Sequence, residues 1–143
     1  MDQKLEKHFR ERAVELGNSG DPSALLELIK LAGSPAANVR RLAASAIGKL
    51  AGLVDAGKAI AALVPMLRDA KPQVRQYAVR ALSEFSSAAK CALPDLRDMA
   101  ISPVEKGYNN AGAKRVIGVI EEACRIAEAS GALLPALWRQ AGA

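Results

Sequence analysis

The chain is poor in the residues that do chemistry. Among 143 residues it has one histidine, two cysteines and five aromatic side chains. A single histidine, His8, excludes His-based triads and paired-His metal sites. Its surroundings, His8-Phe9-Arg10-Glu11, do not make the H-E-x-x-H pattern and read as an exposed helix histidine. Cys91 and Cys124 are too few for a disulfide framework and too far apart in sequence for a clustered zinc site. They read as buried, reduced thiols on neighbouring helices. No glycine-rich loop leads into Lys-Ser or Lys-Thr, so no phosphate-cradling motif is present. No charge-free apolar run approaches the roughly 18 residues of a membrane span. The opening MDQKLEKHFRER has a polar, charged helix pattern unlike a secretory or organelle signal. The expectation is a cytoplasmic protein with no membrane attachment, no catalytic residues, no cofactor and no metal.

What the chain does have is alanine and leucine. Half of it is apolar, and 29 Ala and 17 Leu dominate that half. Such a composition, poor in aromatic and β-branched residues, favours closely packed helices over strands. The net charge of +5 is unevenly placed. Residues 56–90 carry six basic and two acidic side chains, whereas residues 1–20 and 91–143 are each balanced. That local excess suits either a phosphate-facing patch or a flank answered by acidic neighbours from other segments.

Apolar periodicity sets out a succession of helices. Leu5, Phe9, Ala13 and Leu16 form one stripe, ended by Asn18-Ser19-Gly20. Asp21-Pro22-Ser23 supplies a cap and a helix-compatible proline for a helix at about 22–32. After Gly33-Ser34-Pro35, a longer helix at about 37–53 carries Val39, Leu42, Ala43, Ala46, Ile47 and Leu50. The grammar then recurs: a short helix with Ile60, Leu63, Val64 and Leu67, a break at Asp69-Ala70-Lys71-Pro72, and a longer helix with Val74, Ala78, Ala81, Leu82 and Phe85. Asn38-Val39-Arg40-Arg41-Leu42-Ala43 aligns with Gln73-Val74-Arg75-Gln76-Tyr77-Ala78 at a period of 35. Repetition at that length marks stacked helical repeats.

The stretch LVPMLRDAKPQVRQYAVRALSEF, residues 63–85, resembles a HEAT repeat. It has an apolar first helix with a proline, an Asp and a Pro at the turn, and Val-Arg opening the second helix. Residues 25–53 resemble a second copy, with Ser34 in place of the turn Asp, and residues 92–129 a third, degenerate copy without Val-Arg. Leu133-Leu134-Pro135-Ala136-Leu137 echoes Leu63-Val64-Pro65-Met66-Leu67, as if a fourth first helix begins. The resemblance implies an all-α, right-handed α-solenoid of about three helix pairs. Its expected parts are a cap at 3–17, repeats at 22–54, 57–88 and 91–130, and a terminal capping helix at 132–140. It also implies that Arg40 and Arg75 belong to a structural Asp–Arg ladder between repeats rather than to a ligand site.

In such arrays the second helices line the concave side, where partners sit. The positions opposite the apolar stripe single out Arg41, Lys49, Gln76, Arg80, Glu84 and Lys114 as partner contacts, with Arg80 and Glu84 placed to pair at i,i+4. Tyr77 is placed either on that face or between repeats. The leading reading is a non-catalytic scaffold that binds a protein or peptide on its concave face. One alternative is nucleic-acid binding through the basic middle repeat, although HEAT-like DNA glycosylases carry cleft residues that have no counterparts here. The other is self-association through Leu133, Leu134, Leu137 and Trp138.

Overall fold

In the computed structural model the described residues are 1–141, with side chains through residue 131. Among the described residues there are seven α-helices: α1 (Gln3–Asn18), α2 (Leu25–Ala32), α3 (Ala37–Lys49), α4 (Ala56–Met66), α5 (Pro72–Ser83), α6 (Leu93–Ile101) and α7 (Gly107–Ala141). Short 3-10 segments at Pro22–Ala24 and Ser86–Ala92 lead into α2 and α6. No helix among the described residues is long and apolar enough to cross a membrane.

The helix starts follow from local chemistry. Asp2 accepts from the Lys4 amide at 2.7 Å, Asp21 from Ser23 at 2.9 Å, and Asp55 from Lys58 at 3.0 Å. Each carboxylate thereby satisfies a donor that the first turn leaves unpaired. Pro72 and Pro94 sit in first turns, where a missing amide costs nothing. α3 ends at Lys49, short of the expected 53, because the chain turns at Gly52, whose φ of +87° suits a residue without Cβ.

The packing has two layers. α1, α3, α5 and α7 contact one another in that order, and α2, α4 and the 86–101 segment cover their inner side. One continuous core runs between the layers, from Ala13 and Leu16 through Leu28, Val39, Ile47, Leu63, Val74 and Leu82 to Leu96, Val116 and Ile120. Alanine abundance acquires its reason here. Within the first layer, a Cβ on Gly17 would lie 2.7 Å from the Ala46 Cβ, and one on Gly48 would lie 3.0 Å from the Ala81 Cα. The helices approach so closely at these points that only Gly against Ala fits.

Two expectations change. The separate terminal helix at 132–140 does not occur as its own element, because α7 continues through it. Gly131 precedes that stretch, and one helical glycine costs only about 1 kcal/mol relative to alanine. The side chains of Leu133, Leu134, Leu137 and Trp138 lie outside the described residues. Cys91 is exposed rather than buried. Cys124 is half-buried, and both thiols are free. The 3-10 segment that carries Cys91 presents it to solvent, while Cys124 on α7 faces that segment through the Ser87 carbonyl at 3.9 Å.

Candidate functional site: the outer face of α3 and α5

The turns fix this face in place. At the α2–α3 turn the Ser34 hydroxyl accepts from the Ala36 amide at 3.1 Å, and at the α4–α5 turn Asp69 accepts from the Lys71 amide at 2.9 Å. Their backbone carbonyls accept from arginines six residues on: Arg40 donates to Ser34 at 3.0 Å, and Arg75 to Asp69 at 2.7 Å. The same guanidiniums reach forward along the stack. Arg40 grips the Asp69 carboxylate with two bonds of 2.7 and 3.1 Å, and Arg75 grips Glu105 with two bonds of 2.8 Å. The expected ladder therefore exists, and it joins each turn to the next.

Glu105 is the rung that sequence reasoning missed. It lies in the long α6–α7 loop, 36 residues after Asp69, and its side chain is only 8% exposed. Near-periodic spacing was its one signal, masked by the replaced turn. Position 111, six residues beyond it, is alanine, so the ladder stops. Asn109 closes it instead, donating to Glu105 at 3.1 Å and to the Pro72 carbonyl at 3.0 Å. Burial pushes the Glu105 carboxyl up, but the bonds from Arg75, the Lys106 amide and Asn109 outweigh it and hold the group below its ordinary range. Burial likewise pushes the Asp69 carboxyl up, and the bonds from Arg40 and the Lys71 amide outweigh it and hold the group below its ordinary range.

Held by these rungs, α3 and α5 leave two shallow grooves on the outer side of their layer. One, of ≈ 410 Å³, is lined by Ser45, Lys49, Tyr77, Arg80 and Glu84 among others. The other, of ≈ 420 Å³, is lined by Asn38, Arg41, Lys71, Gln73, Gln76 and Tyr77 among others. Five of the six expected contact residues, Arg41, Lys49, Gln76, Arg80 and Glu84, thus border two grooves that meet at Tyr77. Lys114, exposed on α7, lines neither.

Tyr77 organises the cations. The Arg41 guanidinium carbon lies 5.4 Å from its ring centroid and that of Arg80 lies 5.7 Å away, both within cation–π range. Arg41 also donates to the Tyr77 hydroxyl at 3.4 Å. The expected Arg80–Glu84 pair is absent from the described ion pairs, and the Arg80 guanidinium lies over the Tyr77 ring instead.

The basic excess of residues 56–90 is partly neutralised from elsewhere. Arg68 pairs with Asp95 at 2.6 Å, Arg75 with Glu105 at 2.8 Å and Lys90 with Glu128 at 4.0 Å. All three acids come from the following segment. Among the described ion pairs none involves Arg41, Lys49, Lys71 or Arg80. Lys49 instead donates to the Asn18 side chain at 3.2 Å.

Two layers of successively stacked helices, tied turn to turn by arginine–carboxylate rungs, define a helical-repeat protein. Residues 59–89, which run from within α4 through α5 into the following 3-10 segment, match the HEAT repeat family model. No curated protein matches the chain.

Proposed function

We propose that the protein is a non-catalytic scaffold that binds a protein partner on the outer face of α3 and α5, the concave side of a right-handed solenoid. In this reading the helix pairs are residues 22–54, 57–88 and 91–130, and α1 caps the first of them. The observation that carries it is the convergence of Arg41, Lys49, Gln76, Arg80 and Glu84 on two adjoining grooves. These residues lie on a frame whose other arginines, Arg40 and Arg75, are committed to structure. HEAT repeats commonly mediate protein interactions, which agrees with this use of the face.

A photo-crosslinking side chain placed at Gln76 tests the reading in cells, with the same group at exposed Ala61 on α4 as control. A defined protein captured from Gln76 and not from Ala61, and lost in Arg41→Glu, is the expected outcome. Identical capture from both positions, or none from Gln76, sinks it.

A second reading, self-association through α7, is favoured by the exposure of Val119 and Ile126 on that helix. Sedimentation at high protein concentration decides it: a dimer that Trp138→Glu dissociates is expected, and a strictly monomeric parent chain removes the idea. Nucleic-acid binding is less well supported, because both arginines already engage the Tyr77 ring that a base needs for stacking.

A further inference from the structure

Resting on the protein-partner reading above, we infer that the α3–α5 face takes an acidic segment, with a side-chain carboxylate seated at Tyr77 between the guanidiniums of Arg41 and Arg80. Tyr77 draws two like charges to one ring, at 5.4 and 5.7 Å, and neither has a carboxylate partner among the described ion pairs. Two such cations repel each other, and an anion between them converts that repulsion into two attractions. The ring and the Tyr77 hydroxyl bond restrain the forks before any ligand arrives, which lowers the ordering cost of binding. Lys71 borders the groove on the Arg41 side and Lys49 the groove on the Arg80 side. Both present further positive charge to acidic neighbours along the same segment.

Carboxylates bound this basic strip. Glu84 lines the groove beside Arg80, and Glu11 and Glu15, together with Arg10, line a separate groove between α1 and α3. A long polyanion crossing the face meets these acids, whereas a short run of Asp or Glu fits between them. Charge complementarity therefore selects an acidic peptide over a nucleic-acid strand.

Fluorescence anisotropy on the full chain tests the inference, with a short labelled peptide of alternating Glu and Ala as probe at about 50 mM salt. A Gln/Ala peptide and a short thymidine strand are the comparisons. The Glu peptide should bind and the Gln peptide should not. Arg41→Gln and Arg80→Gln should each weaken binding about tenfold, with helicity and melting unchanged. Tyr77→Ala should weaken it comparably, and Tyr77→Phe, which keeps the ring but loses the hydroxyl bond to Arg41, should weaken it less. Lys58→Gln, on α4, should leave binding as it was. Equal weakening by Lys58→Gln, tighter binding of the thymidine strand, or no binding of the Glu peptide overturns the inference. If crosslinking at Gln76 still captures its protein while the Glu peptide fails, only the acidic chemistry is wrong and the scaffold reading stands.

Discussion

Replacing Gly17 by alanine sets two physical terms against each other. Helix propensity alone makes Gly→Ala stabilising, by up to about 1 kcal/mol in a helix interior. Gly118 on α7, whose Cβ would meet nothing within 4 Å, should show that gain nearly undiluted. At Gly17 the new Cβ would sit 2.7 Å from the Ala46 Cβ and 2.8 Å from its Cα. Carbon contacts prefer about 3.5–4.0 Å, so α1 must lift from α3 by roughly 1 Å or its last turn must distort. Overpacking of this kind costs about 1–3 kcal/mol, and the propensity gain near a helix end is small. Gly17→Ala should therefore lose about 1–2 kcal/mol, lowering the melting temperature by about 2–8 °C for a chain of this size. Gly48→Ala, where the nearest backbone atom is at 3.0 Å, should lose less. Urea titrations followed by far-ultraviolet circular dichroism measure all three. If Gly17→Ala proves as stable as Gly118→Ala, the close approach of α1 and α3 is wrong, and with it the layer order built on that contact.

The ladder makes the next predictions. Breaking a buried ion pair on one side costs about 3–5 kcal/mol. Arg75→Met leaves Glu105 with the Lys106 amide and Asn109 still bound, so about 2 kcal/mol is expected from urea midpoints. Lys7→Met, which removes a 3.9 Å pair between side chains 70% and 68% exposed, should change stability by less than about 0.5 kcal/mol. Similar losses in the two variants contradict the structural role of the rung. Acid should act through the same groups. Asp69 and Glu105 have folded pKa values below their ordinary 3.8 and 4.5. Their contribution is therefore complete above those values and is lost as pH falls through the lower folded ones. Stability from these groups should be flat from neutral pH to about 5 and decline below about 4.5. Glu105→Gln, already less stable at neutral pH, should decline less steeply, and an unchanged acid limb argues against the pairing.

Much of the fold was legible because it is written in short-range signals. Asp21-Pro22-Ser23 capped and opened its helix as the residue types require, and of the expected apolar stripe Val39, Ala43, Ala46 and Ile47 became the buried side of α3, Leu50 is buried at its cap, and Leu42 is half-buried. The Arg40–Asp69 rung was implied by the resemblance to HEAT repeats. The site was harder. Helix geometry put Arg41, Lys49, Gln76, Arg80 and Glu84 on one side, but spacing along one helix says nothing of what a neighbouring helix brings. Arg80 was expected to choose Glu84, four residues away, and turned instead to Tyr77 beside Arg41. Glu105 went unseen because a loop of altered length moved it off the repeat register.

The scarcity of histidine, cysteine and aromatic residues, with the abundance of alanine, by itself determined that this chain would pack helices closely and carry no motif for covalent or metal chemistry. Helix starts, helix faces and the repeat length also belong to the sequence, since each depends on residues within a few turns of one another. Only the tertiary structure decided which cations are spent and which are free. Arg68, Arg75 and Lys90 find acids on the following segment, while Arg41 and Arg80 meet over one ring. Charge pairing depends on distances between helices that lie some 30 residues apart in the chain, and those distances are fixed by stacking.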